Sequence, residues 1–235
     1  MKDHKRVNRF GNESLLKKYR HTIICAFILF ALSIFGCLMI YVRSIFTGRY
    51  SFLFLVWNLF LAWIPFGISI VMSFIYSLKT LRRKLLMMLL LGMVWLLFYP
   101  NAPYMITDFI HFRNDNSFLM WYDLVIYSIF IWTSFLLGFV SIYLVNRIVE
   151  KVTNKLVGWC FVLFVLFLSS YGIYLGRFIR WNSWDMLLNP FDLLVSIFDN
   201  LHYQSFIFSI IYGALLTLMY AFLYGLTYLK LEKVD

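Results

Sequence analysis

Charge is what this sequence has least of. Only 14% of its residues are Asp, Glu, Lys or Arg, against about 25% in average soluble domains. That poverty excludes a solvated globular surface, and it excludes a disordered, self-repelling chain. Cysteine is nearly as rare: Cys25, Cys37 and Cys160 each sit inside an apolar run, which gives neither a disulfide framework nor a metal knuckle. Four prolines in 235 residues leave room for long helices. No internal repeat, no low-complexity tract and no nucleophile or metalloprotease motif of the GxSxG or HExxH kind is present.

What is there is hydrophobic: 63% of residues are apolar and 21% aromatic, with a mean hydropathy of +0.80. A solvent that accepts so much apolar surface is lipid. Six runs approach the roughly 20 residues needed to cross hydrocarbon: Ile23–Val42, Phe52–Tyr76, Leu85–Tyr99, Trp121–Val145, Leu156–Gly176 and Phe206–Leu229. The fold class expected is therefore all-α, a polytopic membrane helical bundle of six transmembrane spans. Residues 1–22 form a basic cytoplasmic segment, 23–229 a single six-helix domain and 230–235 a cytoplasmic tail. The first run is longer than a signal peptide's apolar region and lacks a small-residue cleavage site, so it reads as an uncleaved span.

A net charge of +10 would suggest nucleic acid in a soluble protein; here it follows the loops, and no nucleic-acid partner is expected. Sixteen Lys and Arg lie in segments sharing a side with the N-terminus and five in the segments opposite. The positive-inside rule then places both termini in the cytoplasm. Asp108, Asp115, Asp123, Asp185, Asp192 and Asp199, with His111 and His202, fall on or near the outer side.

The third run is the irregular one. Leu85–Tyr99 is fifteen residues, about 22 Å of helix against about 30 Å of hydrocarbon. Tyr99 precedes Pro100, which disfavours helical angles there. Asn101 is a good N-cap, and Pro103 is tolerated in a first turn. The span is thus expected to break below the surface, and backbone freed there must be buried in protein or face water. Beyond the break, Asn101, Tyr104, Asp108 and His111 share an α-helical arc of about 80°. Met105, Ile106, Phe109, Ile110 and Phe112 take the other side. In the second span Pro65 predicts a kink, and Asn58, about two turns in, demands an interhelical partner.

The fourth span carries a small-residue seam of Ser134, Gly138 and Ser141, and Asp123 stands in its first turn. The fifth ends in a GxxxG pair, Gly172 and Gly176. At α-helical spacing Ser169, Gly172, Gly176 and Arg180 share one face. Arg177, Arg180, Trp181, Asn182, Ser183, Trp184 and Asp185 follow as an outer-interface cluster that either anchors in headgroups or clamps an anion through guanidinium forks. Asn189-Pro190 opens an amphipathic helix whose face of Phe191, Leu194, Val195 and Phe198 suits a leaflet surface. Such short interfacial helices on the outer side complete the expected bundle.

The stretches FYPNAPYMITDFIHF (98–112) and IYLGRFIRWNSWD (173–185) resemble a family of bacterial integral membrane proteins called domain of unknown function 1361. The likeness runs from about the second span to the sixth. It implies a multi-span protein of the bacterial cytoplasmic membrane and supplies no activity, cofactor or catalytic residue.

The residues themselves support several readings. Asp108-x-x-His111, completed by Asp123, Asp185 or His202, would suit zinc or manganese, but a lone DxxH is a weak signal and no metal site is assigned. The leading reading is an envelope enzyme acting at the outer face on a lipid or lipid-linked anionic substrate. Asp108, His111 and Asp185 are its catalytic candidates; Asn101, Tyr104, Arg177, Arg180, Asn182 and Trp184 are its substrate-binding candidates. A small-solute or lipid transporter is the alternative, because discontinuous helices beside buried polar groups are a transporter design. A non-catalytic assembly factor is the third. Membrane lipids are the partners expected in every case.

Overall fold

The computed structural model describes residues 2–78, 83–112, 119–181, 183 and 185–229, with backbone alone for 2–19, 111, 186, 187, 228 and 229. The described residues form helices and no strand. Six helical stretches among them are long and apolar enough to cross a membrane: Arg20–Thr47, Leu53–Ser77, Lys84–Ile110, Met120–Val152, Lys155–Ile179 and Tyr203–Thr227. The chain is a multi-pass helical membrane protein.

The chain divides into two units at Ser51. The first is essentially one helix, α1 (Lys2–Thr47). It ends where Gly48 takes a left-handed φ of 65°, a conformation that a side chain disfavours, and the Gly48 amide bonds back to the Ser44 carbonyl at 2.8 Å.

The second unit begins with α2 (Leu53–Ser77) and α3 (Lys84–Phe98). After a turn at Tyr99–Pro100 come the single turn α4 (Asn101–Tyr104) and a 3₁₀ helix, Met105–His111. Then follow α5 (Met120–Val152), α6 (Lys155–Tyr174) with a π-helical turn at Leu175–Ile179, α7 (Asp185–Leu188), α8 (Pro190–Asp199) and α9 (Tyr203–Leu229). Helix α5 packs on α2 and α6, α6 on α9, and α3 and α4 on α2, with α4 also on α5. Trp95, Phe135, Ile142, Leu166, Leu216 and Tyr220 belong to the buried core. Large apolar side chains such as Phe60, Trp132, Phe164 and Phe222 are exposed; across a water-soluble surface they would aggregate, and against acyl chains they are at home.

In lipid, helices associate through close packing and interhelical hydrogen bonds. The α5 seam does both. Ser134 Oγ donates to the Ala102 carbonyl at 2.6 Å, and Ser141 Oγ donates to the Pro65 carbonyl at 2.9 Å while accepting from the Trp95 indole at 2.7 Å. A Cβ added at Gly138 would stand 2.8 Å from Ala102 Cβ, so glycine is what lets α4 reach α5.

The third span does break at Tyr99–Pro100, but not as the proline rule predicts. Tyr99 keeps right-handed helical angles (φ −55°, ψ −39°). Its amide still bonds to the Trp95 carbonyl at 2.8 Å, and its ring is buried against Trp95. Packing overrides the steric bias. Nor is Asn101 an N-cap: it lies inside α4 and its Nδ2 donates to the Phe98 carbonyl at 2.9 Å. The carbonyls at the break find protein partners, Phe98 from Asn101, Ala102 from Ser134 and Pro103 from the Tyr212 hydroxyl at 2.8 Å. This is how irregular backbone survives at membrane depth.

Candidate functional site

Asp108 is the centre of the polar structure at this end of the bundle. It is 1% exposed, and the Arg177 side chain 9%. Arg177 Nη2 pairs with Asp108 Oδ1, while Asn58 Nδ2 donates to Oδ2 at 3.0 Å. Arg177 Nε and Nη2 also donate to Thr107 Oγ1 at 2.9 and 2.7 Å. Thr107 in turn donates to the Tyr104 carbonyl at 2.7 Å. The guanidinium lies over the Tyr104 ring, 4.2 Å from its centroid, within cation–π range. Four stretches of chain thus meet at this ion pair: α2, α4, the 3₁₀ helix and the π turn.

Two local departures from α-geometry build this meeting. A 3₁₀ helix has three residues per turn, so Met105 and Asp108 fall on one edge, and both are buried. Phe109 and Ile110 are exposed instead. The amphipathic arc drawn with α-helical spacing is therefore corrected at Met105, which joins Asp108 on the buried edge. In the fifth span a π turn advances fewer degrees per residue. It brings Arg177, not Arg180, round to the seam. Arg180 takes a left-handed conformation (φ 69°, ψ 30°) that ends the helix, and it is exposed. The expected clamp of two arginines is one arginine at this site.

Glycines let the two signature stretches touch. A Cβ at Gly172 would lie 3.3 Å from Pro100 Cγ, and one at Gly176 3.3 Å from both Tyr104 Cε2 and the Trp181 carbonyl oxygen. Asn101 Nδ2 reaches Ser183 Oγ at 2.9 Å. Of the residues singled out in the sequence, Asn101, Tyr104, Asp108 and Arg177 come together. Asp185 opens α7, half-buried. Asn182, Trp184 and the His111 side chain lie outside the described residues. Among the described residues no three His, Cys, Asp or Glu gather as a metal site would need. His202 instead shares a 3.2 Å hydrogen bond with the Tyr174 hydroxyl. Asp123 is buried in the first turn of α5. The three cysteines are free thiols.

Sequence reasoning missed Thr107, Ser183 and Tyr212. Ser183 stood inside a signature and was passed over for its charged neighbours. Thr107 and Tyr212 carry no one-dimensional signal, since each acts through a backbone carbonyl or a partner brought by the fold. Asn58 did announce itself, by a depth that required a partner.

No curated protein and no solved structure matches the chain. The model of one family, described as "Protein of unknown function (DUF1361)", matches residues 57–219, a stretch that holds Asn58, both signature segments and Tyr212. The chain belongs to that family.

Proposed function

We propose that the protein is a proton-coupled transporter of a small anionic solute, with Asp108 and Arg177 as the coupling pair. One observation carries this reading: a buried carboxylate–guanidinium pair bridges the discontinuous third span and the π turn of the fifth. Ionisable groups at membrane depth are costly and mark ion or proton pathways, and helix discontinuities at such groups are where transporters hold substrate. A general acid must reach the atom it protonates, yet both oxygens of Asp108 are engaged inside the bundle. Any use of the pair begins with its parting. Protonation of Asp108 cancels its charge and frees the Arg177 fork for an external anion, for which planar bidentate recognition is suited. Asn101 and Tyr104 flank that fork and complete the anion site.

The test is reconstitution into liposomes with a trapped pH-sensitive dye, challenged with inorganic phosphate, phosphate monoesters and small carboxylates. At least one anion moves protons with the wild-type protein, and Asp108→Asn and Arg177→Lys abolish or sharply reduce that movement while remaining monodisperse in detergent. Silence across the whole panel, or wild-type flux in Asp108→Asn, sinks the proposal.

A second reading, the envelope enzyme, rests on a separate observation: Arg180 is exposed and left-handed beside Trp181, whose indole holds α8 through Ser196 at 2.8 Å. There Arg180 would receive a lipid-linked anion. Accumulation of one lipid precursor in cells lacking the protein would favour this reading over transport.

A further inference from the structure

At the other end of the bundle a second polar cluster lies between α5, α6 and α9. Asn146 is fully buried. Its Nδ2 donates to Glu150 Oε1 at 3.0 Å, one turn away on α5, and contacts the Tyr220 hydroxyl at 3.4 Å. The Tyr224 hydroxyl donates to the same carboxylate oxygen at 3.4 Å. Glycine at 158 lets α6 close over the pair: an added Cβ would lie 2.5 Å from Glu150 Cγ and 2.8 Å from Asn146 Oδ1. Yet Asn146 Oδ1, a buried acceptor, has no hydrogen-bond partner among the described residues. Leaving such an acceptor unsatisfied is destabilising.

The chemistry that satisfies it is a proton. A carboxylic acid and a carboxamide form a cyclic pair, in which the acid O–H donates to the amide oxygen and the amide N–H donates to the acid carbonyl. The carboxylate forms only the second of these bonds. We propose that Glu150 is a proton-binding site read by Asn146, with bound proton and closed acid–amide ring at one extreme, and carboxylate and orphaned Oδ1 at the other. No redox change is involved: one O–H bond forms on Glu150 as one breaks on the donor. The titratable groups in the cluster are Tyr220 and Tyr224 from α9; the nearest charged neighbours in sequence are Lys155 at the start of α6, and Arg147 and Lys151 on α5 itself. The last two have their charged heads over the rings of Tyr143 and Tyr76. Tyr220 also lines a cavity of about 10 Å³ with Tyr99, Pro103 and Gly138, room for about one water. The cluster therefore adjoins the broken third span. In this role it deepens the transport reading, as the proton site opposite Asp108, but its titration is measured without any transported solute.

The test is pH-difference infrared spectroscopy of the full-length protein in lipid nanodiscs. Among the protonated-carboxyl C=O absorption of the eleven Asp and Glu side chains, which grows as pH falls, the Glu150 band is the component missing in Glu150→Gln. In Asn146→Leu the band persists but moves to higher frequency, since both ring hydrogen bonds are gone. Identical titrations in wild type and Glu150→Gln, or an unmoved band in Asn146→Leu, overturn the proposal. If the anion panel gives no flux while the band behaves as stated, the transport reading fails and the proton site stands. If flux exists but the band is absent, the reverse holds.

Discussion

At the scale of single residues, the Asp108–Arg177 pair decides most. A buried ion pair adds little net stability compared with apolar packing, but removing one partner leaves the other charge uncompensated, at about 3–5 kcal/mol. Asp108 is 1% exposed and engaged on both oxygens, so the asymmetry should be large here. Asp108→Ala and Arg177→Met each lower unfolding free energy by about that amount, and the double variant costs about 0.5–3 kcal/mol less than the sum. Denaturant unfolding in detergent, followed by Trp fluorescence, measures the cycle; strictly additive costs would mean that the two side chains do not depend on each other. A second residue-scale expectation concerns Tyr212. Tyr212→Phe removes the donor to the Pro103 carbonyl at 2.8 Å, a loss of about 0.5–1.5 kcal/mol. In the same unfolding assay, Thr217→Val on the same helix serves as the control, because its hydroxyl bonds only within α9, to the Gly213 carbonyl. Equal effects of the two substitutions would deny Tyr212 its role in holding the break.

At the scale of elements, the third span is held by glycines on two neighbours, and the clearances rank them. A methyl at Gly138 would meet Ala102 Cβ at 2.8 Å, whereas at Gly172 the nearest atom, Pro100 Cγ, is at 3.3 Å. Overpacking costs about 1–3 kcal/mol, so Gly138→Ala falls near the top of that range and Gly172→Ala near or below its bottom. Gly67→Ala, with open space around it, is neutral or slightly stabilising, as a helical Gly→Ala exchange should be. Thermal melts of the three variants give the order directly, and a Gly172 cost equal to that of Gly138 would contradict the packing. These elements also show what could be read in advance. Hydropathy and length made the six spans plain, Pro100 and Pro103 marked the break, and Gly172 and Gly176 marked a seam. The register of the site was hidden, because periodicity assumes 3.6 residues per turn. Asp108 sits in a stretch with three per turn, and Arg177 in a π turn. The carbonyls just before the 3₁₀ stretch are held by Tyr212 and Ser134 from other helices, which no local pattern contains.

At the scale of the whole molecule, the two polar clusters sit at opposite ends of α5's neighbours, with a buried apolar core between them. The charge distribution offers an orientation for that axis. Arg147, Lys151 and Lys155 neighbour Glu150 in sequence, while the loops near Asp108 carry few cations. The positive-inside rule predicts Glu150 on the cytoplasmic side and Asp108 outside. Single cysteines placed at Thr153, in the short turn between α5 and α6, and at Asn200, between α8 and α9, test this in a background with Cys25, Cys37 and Cys160 replaced. In intact cells a membrane-impermeant maleimide labels the Asn200→Cys variant and spares Thr153→Cys until the membrane is permeabilised. The opposite pattern would invert the molecule, placing the Asp108–Arg177 pair on the cytoplasmic side and making Glu150 the group that meets the external pH. Labelling of both from outside would break the six-span topology itself, since α6 would no longer cross between them.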